Sequence, residues 1–253
     1  MSAVVQEPVA STARTRVRSR FYSHFAIVIA LFLVGAFART YYLRFLSDLP
    51  PLSRMLHLHG IVSTAWIVLF VVQTRLIAAR RVDLHMKLGI AGLVLAIASI
   101  VVGVMTTALT AATPHIRPSG LTSSQFTAIP LTSLVLFGAF IGLALALRRR
   151  SDFHKRFMLL AMISVLGPGV GRLIQLLGIA PVGFYVQTGV VLVLVTWCLA
   201  HDWRQYRLVH PVFAYGGALL IASWPLRMAL ARSEIWVPAA DAMHRLGVRL
   251  VGN

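Results

Sequence analysis

Apolar residues run along this chain in seven long stretches separated by short polar clusters. The first covers Tyr22 to Leu43, and the others cover about 57–79, 85–112, 126–147, 154–177, 182–201 and 211–232. A helix needs roughly 20 apolar residues to cross the hydrocarbon core of a bilayer, and each stretch reaches that length. The pattern predicts an all-α fold, a polytopic membrane bundle of seven transmembrane helices. Pro50-Pro51, Pro114, Pro118, Gly120 and Pro181 punctuate the connections on one side. Residues 1–21 read as a flexible basic tail, 22–232 as the transmembrane domain and 233–253 as a separate amphipathic segment. In that last segment Ala239, Met243, Leu246 and Leu250 share one face while Asp241, Arg245 and Arg249 are polar, the pattern of a short helix lying in the membrane interface. The first stretch has a second reading, a signal peptide cleaved near Ala36-Phe37-Ala38.

Composition agrees with the pattern. Of the 253 residues 58% are hydrophobic and 12% charged, whereas soluble domains carry about 25% charged residues. The net charge of +17 first suggests nucleic acid. The basic residues, however, sit in short clusters between apolar runs, where the positive-inside rule and anionic lipid headgroups account for them. No nucleic-acid partner is expected, and the bilayer itself is the expected partner. Fifteen of the 24 Lys and Arg residues fall in the N-terminal tail and in the connections at 75–87, 148–156 and 204–207. That side is cytoplasmic by the rule, giving an N-in, C-out chain in a bacterial inner membrane. Cys198 stands alone, so no internal disulfide and no cysteine-held metal centre is available.

The chain repeats a motif. Arg80-Arg81-Val82-Asp83-Leu84-His85-Met86-Lys87-Leu88 matches Arg149-Arg150-Ser151-Asp152-Phe153-His154-Lys155-Arg156-Phe157, and looser echoes occur at Arg20–His24 and Arg207–His210. Each helix running outward therefore opens with a basic residue and then a histidine, which suggests duplicated helical hairpins. Asp83 and Asp152 are placed to cap their helices and to pair with Lys87 and Arg156 four residues on. The histidines one turn in are anchors at headgroup depth or ligands for a metal or haem, both of which favour imidazole.

Two resemblances follow from such strings. Leu84-His85-Met86-Lys87-Leu88-Gly89 resembles a motif of ferric-reductase-like and ascorbate-reducible b-type cytochromes, which implies haem held between histidine pairs on neighbouring helices. No span here carries a histidine near its middle, which departs from that pattern. The strings His57-Leu58-His59-Gly60, Trp66, Gln73, His85, His154–Met158, His210-Pro211 and Pro225-Leu226-Arg227 together resemble a family of uncharacterised bacterial multi-pass inner-membrane proteins without assigned activity. That likeness implies fold and location and no mechanism.

A second constellation is expected in the outer leaflet. His59, Ser63, Trp66, Phe70 and Gln73 lie on one face of the second helix, and a stripe holding His, Ser and Gln should face the bundle. His57 points elsewhere and could share a metal with His59 only if the helix unwinds. At about 1.5 Å per residue, Arg39, Arg172 and Arg227 all reach the outer third of their helices. Gln175, Gln187, Ser223 and the Thr106/Thr107/Thr110 group fall at similar depth. Gly167-Pro168-Gly169 and Trp224-Pro225 should bend the fifth and seventh helices there and open a cavity. All seven acidic residues read as lying at or beyond span ends, so the arginines either snorkel to headgroups or hold an anion.

Several classes are excluded. No Lys lies inside a span to form a retinal Schiff base, no span carries a carboxylate to relay protons, and no nucleophile-elbow or zincin motif occurs. Three readings remain. The first is a binding or accessory protein whose pocket, drawn from Arg39, His59, Ser63, Trp66, Gln73, Arg172, Gln175 and Arg227, takes a small anionic, lipid-like or quinone-like ligand. The second is a haem or copper redox protein using His57, His59, His85, His154 and His210. The third is a transporter built on repeated hairpins.

Overall fold

The computed structural model describes residues 9–113 and 120–251, with side chains from Arg20 onward. Its elements are α1 (Val9–Phe37), α2 (Arg54–Ala78), α3 (Val82–Ala112), α4 (Ser123–Phe126), α5 (Ala128–Ala146), α6 (Ser151–Ser164), α7 (Gly167–Leu176), α8 (Gly183–Tyr206), α9 (Pro211–Arg232) and α10 (Val237–Val251). Among the described residues, seven helical stretches are long and apolar enough to cross a membrane, and they coincide with the seven apolar runs of the sequence. The helices pack as a bundle in which α2 with α3, α5 with α6 and α8 with α9 form hairpins. Their turns carry Arg80, Arg81, Arg148–Arg150 and Arg207, and mark one end of the bundle as its basic end.

The core lies between α1, α5, α6, α8 and α9, where Phe25, Ile29, Phe137, Leu159, Leu160, Met162, Val195 and Phe213 are sealed from solvent. Close approach depends on small residues, as is usual where helices associate in an apolar medium. A Cβ at Gly216 would stand 2.3 Å from Leu160 Cδ1, and one at Gly217 would stand 2.5 Å from Val195 Cγ1. Side chains facing outward are themselves apolar, among them Leu31, Ile90, Val94, Val135 and Val193.

Three expectations are corrected. Helix α1 begins at Val9, so residues 9–21 extend the first span as helix; residues 1–8 lie outside the described part, as do Pro114 and Pro118. Asp83 and Asp152 sit inside the first turn, and the cap positions belong to Arg81 and Arg150, neither of which makes a side-chain cap bond. The chain is already turning at Arg80, whose positive φ of 60° ends α2, and helical bonding resumes before the acids are reached. Asp83 pairs with Arg81 instead of Lys87, at 3.7 Å. Asp152 does meet Arg156, at 3.5 Å. Helix α10, at the position of the amphipathic C-terminal helix read from the sequence, docks on the bundle. Gly247 seats on α3 so closely that a Cβ would fall 2.0 Å from the Ala108 carbonyl oxygen, and the His244 ring lies 3.1 Å from the Ala111 carbonyl.

The third correction is Asp202, read in the sequence as lying beyond its span. Helix α8 continues to Tyr206, and Asp202 is completely buried. Arg156, also buried, donates to both of its oxygens, Nε to Oδ2 at 2.9 Å and Nη2 to Oδ1 at 2.7 Å. The backbone N–H of His210 donates to Oδ2 as well, at 3.1 Å. This bidentate pair ties α6 to α8 and to the start of α9, and its forked geometry is why arginine serves here.

Candidate functional site

At the end opposite the basic turns the helices part around a cavity of about 1340 Å3. Its local cause is the break between α6 and α7. Pro168 has no N–H to give the Ser164 carbonyl, and before it the chain tightens to three-residue bonds, Val165 N–H to Met162 O and Leu166 N–H to Ile163 O. The fifth apolar run is thus two helices, and α7 leaves the line of α6. A wider π-helical turn, Ala38–Tyr42, rotates the end of the first span and brings Thr40, Tyr41 and Tyr42 onto the cavity wall. Tyr42 is held there by the Thr64 hydroxyl at 2.9 Å. Since Thr64 spends its own hydrogen on the Gly60 carbonyl, Tyr42 is the donor.

The floor is apolar and aromatic. Trp66 stacks edge-on against Phe137 with ring centroids 5.2 Å apart, and its indole N–H points at Met162 Sδ, 3.1 Å away. The rim is cationic, with Arg44, Arg172 and Arg232. Arg44 donates to the carbonyls of Thr40 and Pro50 and so staples the α1–α2 connection. Among the described residues, Arg172 hydrogen-bonds only to the Gln175 side chain, at 3.3 Å, beside the Phe37 ring. Between rim and floor lie Gln175, Gln187, His59, Ser63 and the Thr106/Thr107/Thr110 group. Those three threonines donate to the carbonyls of Val102, Gly103 and Thr106, which leaves their oxygens as acceptors.

Arg227 stands behind the wall and does not line the cavity. It is 5% exposed, donates to Ser133 Oγ at 2.7 Å and lies beside Trp224, while its Nε has no partner among the described residues. Ser133 and Trp224 both line the cavity. Among the described residues no carboxylate pairs with Arg172 or Arg227. A guanidinium this buried with one neutral hydrogen bond is unusual, because charges removed from water are ordinarily paired.

The structure therefore gathers His59, Ser63, Trp66, Arg172 and Gln175 around one cavity, with Arg227 behind it, and separates two other expected members. Arg39 lies in the π-helical turn, is exposed and borders a different, shallow groove with Ala38 and Leu43. Gln73 shares the face of His59 but sits fourteen residues further along α2, near the basic end, where its amide donates to the His85 carbonyl at 3.2 Å. Ser223 is buried and bonded to the Leu220 carbonyl. Arg44 and Arg232 escape sequence reading because each lies at the end of an apolar run, where arginine ordinarily snorkels.

The five candidate metal-binding histidines do not form one centre. Among the described residues no three His, Cys, Asp or Glu side chains converge as a metal-holding group. His57 is exposed, with its ring 6.2 Å from that of Tyr41, and His59 belongs to the cavity. His210 caps α9, its Nδ1 accepting from Val212 N–H at 3.2 Å, and packs on Phe153. Only His85 and His154 approach each other, with ring centroids 6.2 Å apart. Compared with protein-family models, curated proteins and solved structures, the chain shows no match.

Proposed function

We propose that this chain is an inner-membrane protein of seven spans, N-terminus inside, that binds an amphiphile with an acidic head group in its outward-facing cavity. The single observation that carries this reading is the pairing of that cavity with Arg172 and Arg227, which have no carboxylate partner among the described residues. A volume of about 1340 Å3 exceeds the roughly 300–1,000 Å3 of sites for compact small molecules, and an inorganic anion alone would leave most of it empty. Its aromatic floor suits a hydrocarbon or ring, and Arg44, Arg172 and Arg232 suit a phosphate or carboxylate at the rim. Arg227 adds positive potential through the Ser133 wall. The apolar outward surface of the helices supports lipid on all sides. A binding or accessory role fits better than transport through repeated hairpins, because the buried Arg156–Asp202 pair ties α6, α8 and the start of α9 together at the basic end.

The test is thermal stability of the purified protein in a neutral maltoside detergent, with monododecyl phosphate or methyl phosphate added. The alkyl phosphate should raise Tm in the wild type while methyl phosphate does not, and Arg172→Gln and Arg227→Gln should each diminish the shift. Equal shifts in wild type and both variants, or no shift in the wild type, reject the reading.

A further inference from the structure

Three residues that the sequence assigns to different layers meet at the basic end of the bundle, far from the cavity. Gln73 comes from α2, His85 from the first turn of α3 and His154 from the first turn of α6. Their hydrogen bonds fix which atoms remain free. Gln73 must donate through its amide nitrogen to the His85 carbonyl, so its Oε1 faces the other way, and that oxygen is buried without a partner. His154 Nδ1 lies 2.8 Å from the Ala144 carbonyl. A carbonyl only accepts, so Nδ1 carries the hydrogen and Nε2 keeps its lone pair. His85 Nδ1 is buried and also lacks a partner among the described residues. Buried polar atoms are normally satisfied, and here the two orphans belong to residues joined by the Gln73–His85 hydrogen bond, with the His154 ring 6.2 Å from that of His85.

We infer that Gln73 Oε1, His85 Nδ1 and His154 Nε2 form a binding site for one divalent transition-metal ion, with water completing the shell. The two imidazole rings stand 6.2 Å apart and nearly perpendicular, at 80°. Nitrogens bound about 2.0–2.1 Å from a common ion place such rings roughly 5 to 6 Å apart, so a small rotation of either side chain closes the site. The Ala144 carbonyl behind His154 is the outer partner that metal-bound histidines ordinarily have, setting tautomer and ring direction. Two imidazoles and an amide oxygen favour zinc, cobalt, nickel or copper over magnesium or calcium. The ion would clasp three helices where α2, α3 and α6 meet. This site is independent of the amphiphile reading, since none of its three residues lines the cavity.

The experiment uses full-length, untagged protein in neutral detergent titrated with Co2+ and followed by its visible bands, with Zn2+ as competitor. One saturable site is expected. His85→Ala and His154→Ala should each weaken it by about tenfold or more and Gln73→Leu by less, while His57→Ala and His59→Ala leave it unchanged. Absence of a saturable site in the wild type overturns the inference, as does unchanged affinity in both His85→Ala and His154→Ala. Should those variants fail to fold, pulsed EPR of the Cu2+-loaded wild type decides. Nitrogen couplings from two imidazoles are expected, and one or none overturns the assignment.

Discussion

Replacing Asp202 by Asn is the sharpest perturbation of this fold. The substitution keeps the shape and removes the charge, leaving Arg156, 2% exposed, without the carboxylate that accepts at 2.7 and 2.9 Å. What remains for the guanidinium is the Asp152 backbone carbonyl at 2.8 Å, the half-exposed Asp152 carboxylate at 3.5 Å and the ring faces of Tyr206 and Phe213. Removing one member of a buried ion pair costs about 3–5 kcal/mol, and the amide oxygen that persists sets the expectation near the lower end. The chain contains its own reporter in Cys198, completely buried one turn before Asp202 on α8. Under conditions where labelling follows the open population, about 3 kcal/mol raises the maleimide rate on Cys198 more than 100-fold. The double variant Arg156→Met, Asp202→Leu should return to within about 1 kcal/mol of wild type, since apolar replacements dispense with the desolvation cost. A rate within tenfold of wild type for Asp202→Asn, or a double variant as labile as the single one, refutes the reasoning.

Three further outcomes are expected. Gly247→Val should unseat α10 from Ala108 at a cost of about 1–3 kcal/mol, seen as faster proteolysis after residue 237, whereas Val248→Ala on the exposed side should leave cleavage unchanged. Burial, and after it the nearby Arg156, hold the His210 imidazole below its ordinary value of 6.5; Lys155 acts in the same sense while Asp202 and Asp152 oppose. The unfolded chain therefore takes up a proton that the fold resists, and stability falls as pH drops below about 6.5; His210→Asn, which keeps a helix-capping acceptor, should flatten that dependence relative to wild type in urea titrations. Trp66→Phe removes the indole N–H that meets Met162 and opens room on the cavity floor. It should cost about 1 kcal/mol and change the chain-length preference of bound alkyl phosphates, read by thermal shift.

The seven apolar runs and the break at Gly167-Pro168-Gly169 were legible because burial in an apolar medium and the missing proline N–H act locally. The stripe of His59, Ser63 and Trp66 was legible too, since helical period alone sets a face. Gln73 was misplaced because a shared face is not a shared depth, and fourteen residues of helix move a side chain about 21 Å along the axis. Arg39 was misplaced because one π-helical turn rotates the face, and nothing in Ala38–Tyr42 announces that turn. The Arg156–Asp202 pair joins positions 46 residues apart; sequence displays an acid beside an apolar run and gives no sign that it is buried. The His85–His154 approach was visible as a repeated motif and not as a contact.

The division of the fifth span has a bearing on how this protein can change over time. Helix α6 is almost wholly enclosed from Leu159 to Ser164 and locked to α8 by Arg156, while α7 buries only Gly169, Val170 and Ile174 and presents Arg172 and Gln175 to the cavity. One half is therefore intolerant of substitution and the other permissive, with Pro168 insulating them. Selection could retune what the cavity accepts by altering α7 alone, without disturbing the half that holds the molecule together.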